Sequence, residues 1–334
     1  MDEKAVRDIV QQAARAPSVH NTQPWRFVAR DNAIELWTDP SRGLAVLDPA
    51  GRARHISCGA AMLHLRVASA NAGYASTVTL LPDHAHPDHL GDVYLDPASE
   101  PAEADRGLAA AIEARHTVRE AFAVAALPAA VVTELRHAAE VEGCWLRIVD
   151  GADESIAVAA LLARADEMER ADPAYIAELR RWTDRAADSN EGVPASAIPD
   201  VAPAERGSIY RLRDFVADRE SSSTRAAEPP PVERPLVVVL GTRDDDVASW
   251  LAAGQGLGRL LLTAQRDGVA ASPMTQPLEV PGTRARLATE LGVVGHPQMI
   301  IRLGYAGENA GGGAATAKPR RPVEQIITPQ VPPD

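Results

Sequence analysis

Two groups of side chains have the types and spacing to do chemistry. The first is a dense hydrogen-bonding run, Ser18, His20, Asn21, Thr22 and Gln23, closed by Pro24 and Trp25. Side-chain amides donate and accept at once, so Asn21 and Gln23 suit the mixed edge of a heterocycle. The run lies between a helical pattern and a β-rich one, where α/β proteins commonly gather ligand contacts, although the same composition also fits an ordinary capped turn. The second group is basic: Arg115, His116, Thr117 and Arg119 in ARHTVREAF, and Lys318, Arg320 and Arg321 in KPRRPVEQI. The whole chain carries 34 Lys and Arg against 46 Asp and Glu, a formal charge of -12. Such a surface disfavours nucleic acid and anionic lipid, so locally gathered cations point to one discrete anion site.

Other motifs carry less. His84, His86 and His89 in DHAHPDH have the spacing of metal ligands, but the proline-interrupted context reads as an exposed loop and no metal is expected. GQGLG at 254–258 is not GxGxxG and sits inside a helical pattern, which argues against a dinucleotide loop. Nothing has the form of a nucleophile elbow, and no side chain is assigned a catalytic role. Cys58 and Cys144 are too few for a disulfide framework and read as buried small hydrophobes.

The elements that must position these residues follow from periodicity. A helix is predicted over 4–16 from Ala5, Ile9, Val10, Ala13 and Ala16, ended by Pro17. WRFVAR and AIELWTD read as a hairpin. An apolar helix is predicted from Gly59 to Gly73, a short strand over 92–95, helices over 107–115 and 128–141, and the strand CWLRIVD. Residues 154–185 are strongly helical, and 188–235 have loop composition. PLVVVLGT is continuously apolar, as a strand buried on both faces must be; a helix over 247–268 and the strand QMIIRLGY follow. At 334 residues two units are favoured, and 46% hydrophobic residues with only 4% aromatics imply an aliphatic core. No run approaches the length needed to span a bilayer, and the amphipathic N-terminus does not read as a leader, so a cytoplasmic protein is expected.

An internal repeat is visible. Setting Gly254 over Gly59, an offset of 195, places Leu260 on Leu65 and Gly268 on Gly73. An offset of 125 places Val131 and Ala138 on Val6 and Ala13, and after loop shortening Trp145 falls on Trp25. Duplication is the better reading, with PSVHNTQP of the first copy reduced to little more than EGC in the second.

APSVHNTQPWRF resembles the PSxxNxQPW signature of the FMN-dependent nitroreductase family. ARHTVREAF resembles that family's phosphate-binding segment and KPRRPVEQI its C-terminal basic motif, while GQGLGRLLLTAQRDGVAASPMTQP is similar to its central helix and flavin-contacting turn. The resemblance spans nearly the whole chain except about 164–234. It implies an α+β nitroreductase-like fold and one FMN. In two-subunit members the NxQPW segment reaches a flavin held by the neighbouring chain, and here the RHT segment follows NxQPW instead of preceding it. The resemblance therefore implies an internally duplicated pseudo-dimer, most like the Acg-type actinobacterial proteins: 1–105 donates NxQPW, 106–334 cradles the flavin, and the chain is a monomer.

Residue roles follow from the resemblance. Arg115, Thr117, Lys318, Arg320 and Arg321, with His116 in the same segment, are expected at the phosphate. Arg119 is expected near N1 and O2, where a cation stabilises the reduced ring. Ser18, Asn21, Gln23 and Trp25 are expected to reach the ring or ribityl chain from across the internal interface, and Ser272, Pro273 and Met274 to face the pyrimidine edge and N5. The activity implied is NAD(P)H-dependent reduction of a nitroaromatic, quinone or similar electrophile; the alternative is a protein that sequesters FMN and turns over little. Residues 164–234, whose Tyr175, Ile176, Leu179 and Trp182 share a helical face, are expected to form a lid.

Overall fold

The computed structural model describes residues 2–183, 185, 189–194, 198, 209–210, 213, 215, 233–307 and 320–328. Its first helix, α1 (Glu3–Ala13), is capped by the Asp2 carboxylate, which accepts from the Lys4 amide at 3.4 Å, and buries Val6, Ile9, Val10 and Ala13. A 3-10 turn (Val19–Asn21) leads into β1 (Trp25–Ala29) and β2 (Ala33–Thr38), the anticipated hairpin. Then come α2 (Arg52–Asn71), β3 (Ala75–Leu80) and β4 (His89–Asp96). Two short helices, α3 (Glu103–Arg106) and α4 (Ala109–Ala114), cross to α5 (Ala129–Glu140) and β5 (Trp145–Ile148). Helices α6 (Gly151–Ala171) and α7 (Pro173–Thr183) precede β6 (Leu236–Thr242) and α8 (Val247–Arg266). The last elements are β7 (Ala270–Pro273), α9 (Gln276–Glu279), α10 (Pro281–Glu290), β8 (His296–Gly304) and β9 (Ile327–Thr328).

The architecture is α+β. One sheet has the order β3-β4-β2-β1-β9 and the other β5-β6-β8-β7. Between them α2 and α8 pack backbone to backbone. A Cβ at Gly59 would lie 2.2 Å from the Leu251 carbonyl oxygen, and one at Gly254 would lie 2.1 Å from that of Ile56. Only glycine permits this approach. The C-terminal strand β9 crosses back to the first sheet, pairing parallel to β1 with Phe27 opposite Ile327.

Several boundaries differ from the periodicity. Helix α2 starts at Arg52, well before Gly59, because RARHISC is buried along with the apolar stretch: Arg52, His55 and Ser57 all lie inside. A helix buried all round shows no amphipathic edge from which to read its start. The run 154–185 divides at Asp172, whose extended backbone precedes Pro173, as proline demands of its predecessor. Strand β3 and helix α10 were not anticipated; β3 is a half-exposed edge strand, and α10 buries Thr283 and Leu287 on an otherwise mostly polar run. His89 is no loop residue but opens β4, stacked on Trp37 with centroids 4.4 Å apart. Cys58 and Cys144 are free and buried, and burial raises both thiols to about 12. Among the described residues no helix is long and apolar enough to cross a membrane.

Candidate functional site

Helices α2 and α8 and the edge of the second sheet enclose an elongated cavity with two adjoining lobes. The wider lobe, partly open to solvent, is walled by Arg52, Ile56 and Ser57 of α2, Leu257 of α8, and Ser272 and Pro273 of β7. Pro17, Ser18, Val19 and His20 close one side, and Thr117 and Arg119 another. The narrower lobe shares Ser18, His20, Thr117 and Arg119 and adds Asn21, Arg115 and Arg320.

The loop that presents Ser18 to Gln23 is wound tightly. His20, Asn21 and Gln23 have φ of 47°, 55° and 50°, a left-handed run that non-glycine residues adopt at a cost of about 1–3 kcal/mol each unless their surroundings enforce it. The enforcing contacts are present. Ser18 Oγ accepts from the Gln23 amide at 3.0 Å, Ser57 Oγ accepts from the Val19 amide at 3.2 Å, and Gln23 Oε1 accepts from the Arg321 amide at 2.9 Å.

The narrow lobe is electrostatically unusual. The Arg115 guanidinium is buried; its Nη2 donates to the Arg15 carbonyl at 3.3 Å, and its Nε has no partner among the described residues. Arg320 donates from Nε to the Ala14 carbonyl (2.9 Å), from Nη1 to Asn21 Oδ1 (3.0 Å) and from Nη2 to the Arg15 carbonyl (3.2 Å). Both cations thus sit on the carboxyl end of α1, where the helix dipole is negative. Burial lowers the Arg115 pKa to about 10. Burial, then repulsion from Arg115 and Arg15, lowers that of Arg320 to about 9. Two guanidiniums side by side, Arg115 buried with an N–H left unpartnered among the described residues and Arg320 half-buried, make a cradle that a dianionic phosphate would neutralise.

The wide lobe ends in a second charged cluster. Arg213 Nη2 donates to Glu169 at 3.2 Å and to Glu279, and its Nη1 donates to the Tyr175 hydroxyl at 2.5 Å and lies 3.3 Å from His20 Nε2. Burial, then the Arg213 charge, lowers the His20 pKa to about 3, so the ring is neutral and Nε2 accepts. Phe215 meets the His20 ring edge-on at 5.8 Å, and the Arg119 guanidinium lies 5.2 Å from its centre.

Of the residues singled out in the sequence, Ser18, Asn21, Arg115, Thr117, Arg119, Ser272, Pro273 and Arg320 line this cavity. Gln23, Trp25, His116, Met274 and Arg321 stand off its walls. Gln23 donates from Nε2 to the Asn190 carbonyl at 2.8 Å, and Trp25 lies wholly inside the core between α1 and α2. His116 is exposed beside the Ala114 carbonyl, Met274 belongs to the core under α6 and α9, and Arg321 reaches the Gln23 and Gln325 carbonyls. Lys318 lies outside the described residues. Sequence reasoning missed Arg52, Arg213, Phe215, Gln276 and Glu279. Gln276 and Glu279 follow directly on the SPMT turn and were within reach of it. Arg213 and Phe215 fall in a stretch whose composition carries no periodic signal.

The chain resembles known proteins along its length. A Mycobacterium tuberculosis protein provisionally named NAD(P)H nitroreductase is 35% identical over 327 residues, which is 98% of this chain and 92% of that protein. Another, provisionally named NAD(P)H nitroreductase acg, is 33% identical over 323 residues, 96% of this chain and 95% of that one. Among solved structures, the FMN- and NADPH-dependent nitroreductase NfnB from Sphigopyxis superposes with a TM-score of 0.42 at 17% identity, over 67% of this chain and 99% of the other, a likeness too distant to bear on chemistry. No family model matches the chain.

Proposed function

Because the chain belongs to the nitroreductase family, with acg among its relatives, we propose that the cavity holds one FMN and that the protein is an NAD(P)H-dependent oxidoreductase acting on nitroaromatic, quinone or similar electrophiles. The observation that carries this reading is the pair of neighbouring guanidiniums, buried Arg115 and half-buried Arg320, on the wall of the narrow lobe, with no carboxylate among that lobe's described lining residues. The residues present fit the group. Arg115, Thr117 and Arg320 would hold its phosphate, with the orphaned Arg115 Nε as a ready donor. The wide lobe would take the ring, with Arg119 as the cation beside it. When bound, the flavin supplies two-electron transfer between nicotinamide and acceptor. The protein excludes water, orients both partners and supplies charge. Extraction and quantification should give near one FMN per chain; none after reconstitution, or two, would overturn this reading.

The same reading includes a fused pseudo-dimer of residues 1–105 and 106–334. Its support is the glycine-to-glycine contact of α2 with α8, a sheet on either side, and cavity walls drawn from both halves.

A second reading, FMN sequestration with little turnover, is favoured by one specific observation. Arg213 and Phe215 belong to the 164–234 insertion and stand on the wall of the wide lobe, while Tyr175, Leu179 and Trp182 of α7 pack with Leu44 and Leu47 to seat that insertion. A lid in that position narrows the face on which nicotinamide must stack. Mixing holoprotein anaerobically with excess NADPH or NADH, with dithionite as control, separates the readings. Slow bleaching that accelerates when 190–230 is shortened supports the lid and sequestration; rapid bleaching indifferent to shortening removes both.

A further inference from the structure

Glu169 of α6 and Glu279 of α9 converge on a single nitrogen, Arg213 Nη2, and both side chains are buried. One guanidinium cannot balance two ionised carboxylates away from water, because each unpaired buried charge costs several kcal/mol. One proton must therefore reside on the pair. Among the described residues Glu279 Oε1 has no ordinary hydrogen-bond donor, as expected if the facing Glu169 carboxyl supplies the hydrogen. Tyr175, bonded to Glu169, and neutral His20 add no charge; among the described residues Arg52 and Asp48, one of each sign, also face Glu279, and Arg119 faces His20.

The position of Glu279 is as informative as its partner. It lies on the wall of the wide lobe and also on that of a second, polar pocket on the far side, lined by Asp245, Arg284 and His296 and reaching solvent. Arg52 is the other residue prominent in both walls. A group on both walls can give a proton to a ligand in the one and recover it from solvent through the other.

We propose that the Glu169–Glu279 pair is the general acid for acceptors reduced in the wide lobe, Glu169 holding the proton and Glu279, on the cavity wall, passing it on. This rests on the flavin reading, since the electrons must come from a reduced flavin. The balance is simple. A quinone or other carbonyl-type acceptor gains a hydride, two electrons and one hydrogen, from the flavin, which is oxidised. The acceptor oxygen, now anionic, takes the carboxyl proton: the carboxyl O–H breaks, its electron pair stays on the pair of carboxylates, and a new O–H bond forms on the product. Solvent reprotonates the pair through the polar pocket. Tyr175 and Arg213 are positioning residues, holding the two carboxyls in register.

Burial, reinforced by the Glu279 charge against the opposing pull of Arg213, moves the Glu169 carboxyl up to about 8. A protonated carboxyl is therefore expected at neutral pH and lost as pH rises through that range. Infrared spectroscopy of the purified protein, which needs no turnover, should detect a protonated-carboxyl band that disappears in Glu169→Gln. A band untouched by Glu169→Gln and by Glu279→Gln, or no band, overturns the pair. The kinetic arm reduces holoprotein with dithionite and mixes it with benzoquinone, which needs a proton, or with ferricyanide, which needs none. Glu279→Gln should slow reoxidation by benzoquinone by about a hundredfold with no comparable loss for ferricyanide. Equal slowing of both acceptors, or of neither, overturns the proposal. Glu169→Gln serves as the second variant should Glu279→Gln fold poorly, and its benzoquinone rate should lose its pH dependence. Protein that binds no FMN at all would instead strike the flavin reading, and the infrared arm distinguishes the two failures.

Discussion

At the scale of single residues the site is governed by a conflict between stability and binding. Arg115, buried, and Arg320, half-buried, are held close together, an arrangement that burdens the empty fold and rewards a bound dianion. Substitutions there should move the two properties in opposite directions. Arg115→Met is expected to raise the melting temperature of flavin-free protein while weakening FMN about ten- to a hundredfold, the loss of one charge-assisted contact. His20→Ala, which removes no cation, should weaken FMN less; equal effects on retention would count against the phosphate assignment. The affinity also has a pH limit whose sign is fixed by the depressed Arg320. The guanidinium is charged below its folded value of about 9 and loses its proton above it, so FMN titrations should show weakening as pH rises through that value, not as it falls. The cationic segments were legible because they stand out in a chain of net charge -12. Trp25 was misleading for a definite reason: strand alternation buries Trp25 and Phe27 and exposes Arg26, so the motif's aromatic residue belongs to the core beside the loop. Arg213 and Glu279 were hidden because no local pattern signals a long-range ion pair between positions 66 apart in sequence.

At the scale of elements the decisive contact is the crossing of α2 and α8. Each glycine there sits where a methyl group would strike the partner's backbone, at 2.2 Å for Gly59 and 2.1 Å for Gly254, and backbone cannot swing aside as a side chain can. Gly59→Ala should cost about 1–3 kcal/mol in urea unfolding and loosen FMN as well, because α2 carries Ile56 and Ser57 to the cavity while α8 carries Leu257. Gly268→Ala meets no neighbouring atom; its only penalty is the positive φ of 72° and it should leave the cavity intact. The sequence located both long helices because their apolar runs are long, and it located the hairpin because β1 and β2 combine β-propensity with a turn. It placed the start of α2 late for the opposite reason. A helix in the middle of a molecule buries polar residues too, and Arg52 satisfies its guanidinium with the Gln298 and Leu278 carbonyls, which lie far along the chain.

At the scale of the whole molecule, cavity walls come from both ends of the chain: Ser18 and Ile56 on one side, Thr117 and Ser272 on the other. A site completed within one chain needs no second copy, so sedimentation at low micromolar concentration should report a monomer; a tight dimer would count against the fused arrangement. The return of β9 to the first sheet has a further consequence. The segment 320–328 begins with Arg320 in the narrow lobe and ends in a two-residue strand, and on the way the Ile326 carbonyl accepts the Phe27 amide at 2.7 Å. Any local opening that frees that amide must also peel away a segment bearing Arg320, one of the proposed phosphate ligands. Amide exchange at Phe27, deep in the half of the chain that carries no phosphate arginine, should therefore act as a gauge of occupancy. With FMN at a hundred times its dissociation constant, exchange there should slow by about a hundredfold, while an amide in β3 at the far edge of the same sheet keeps its rate.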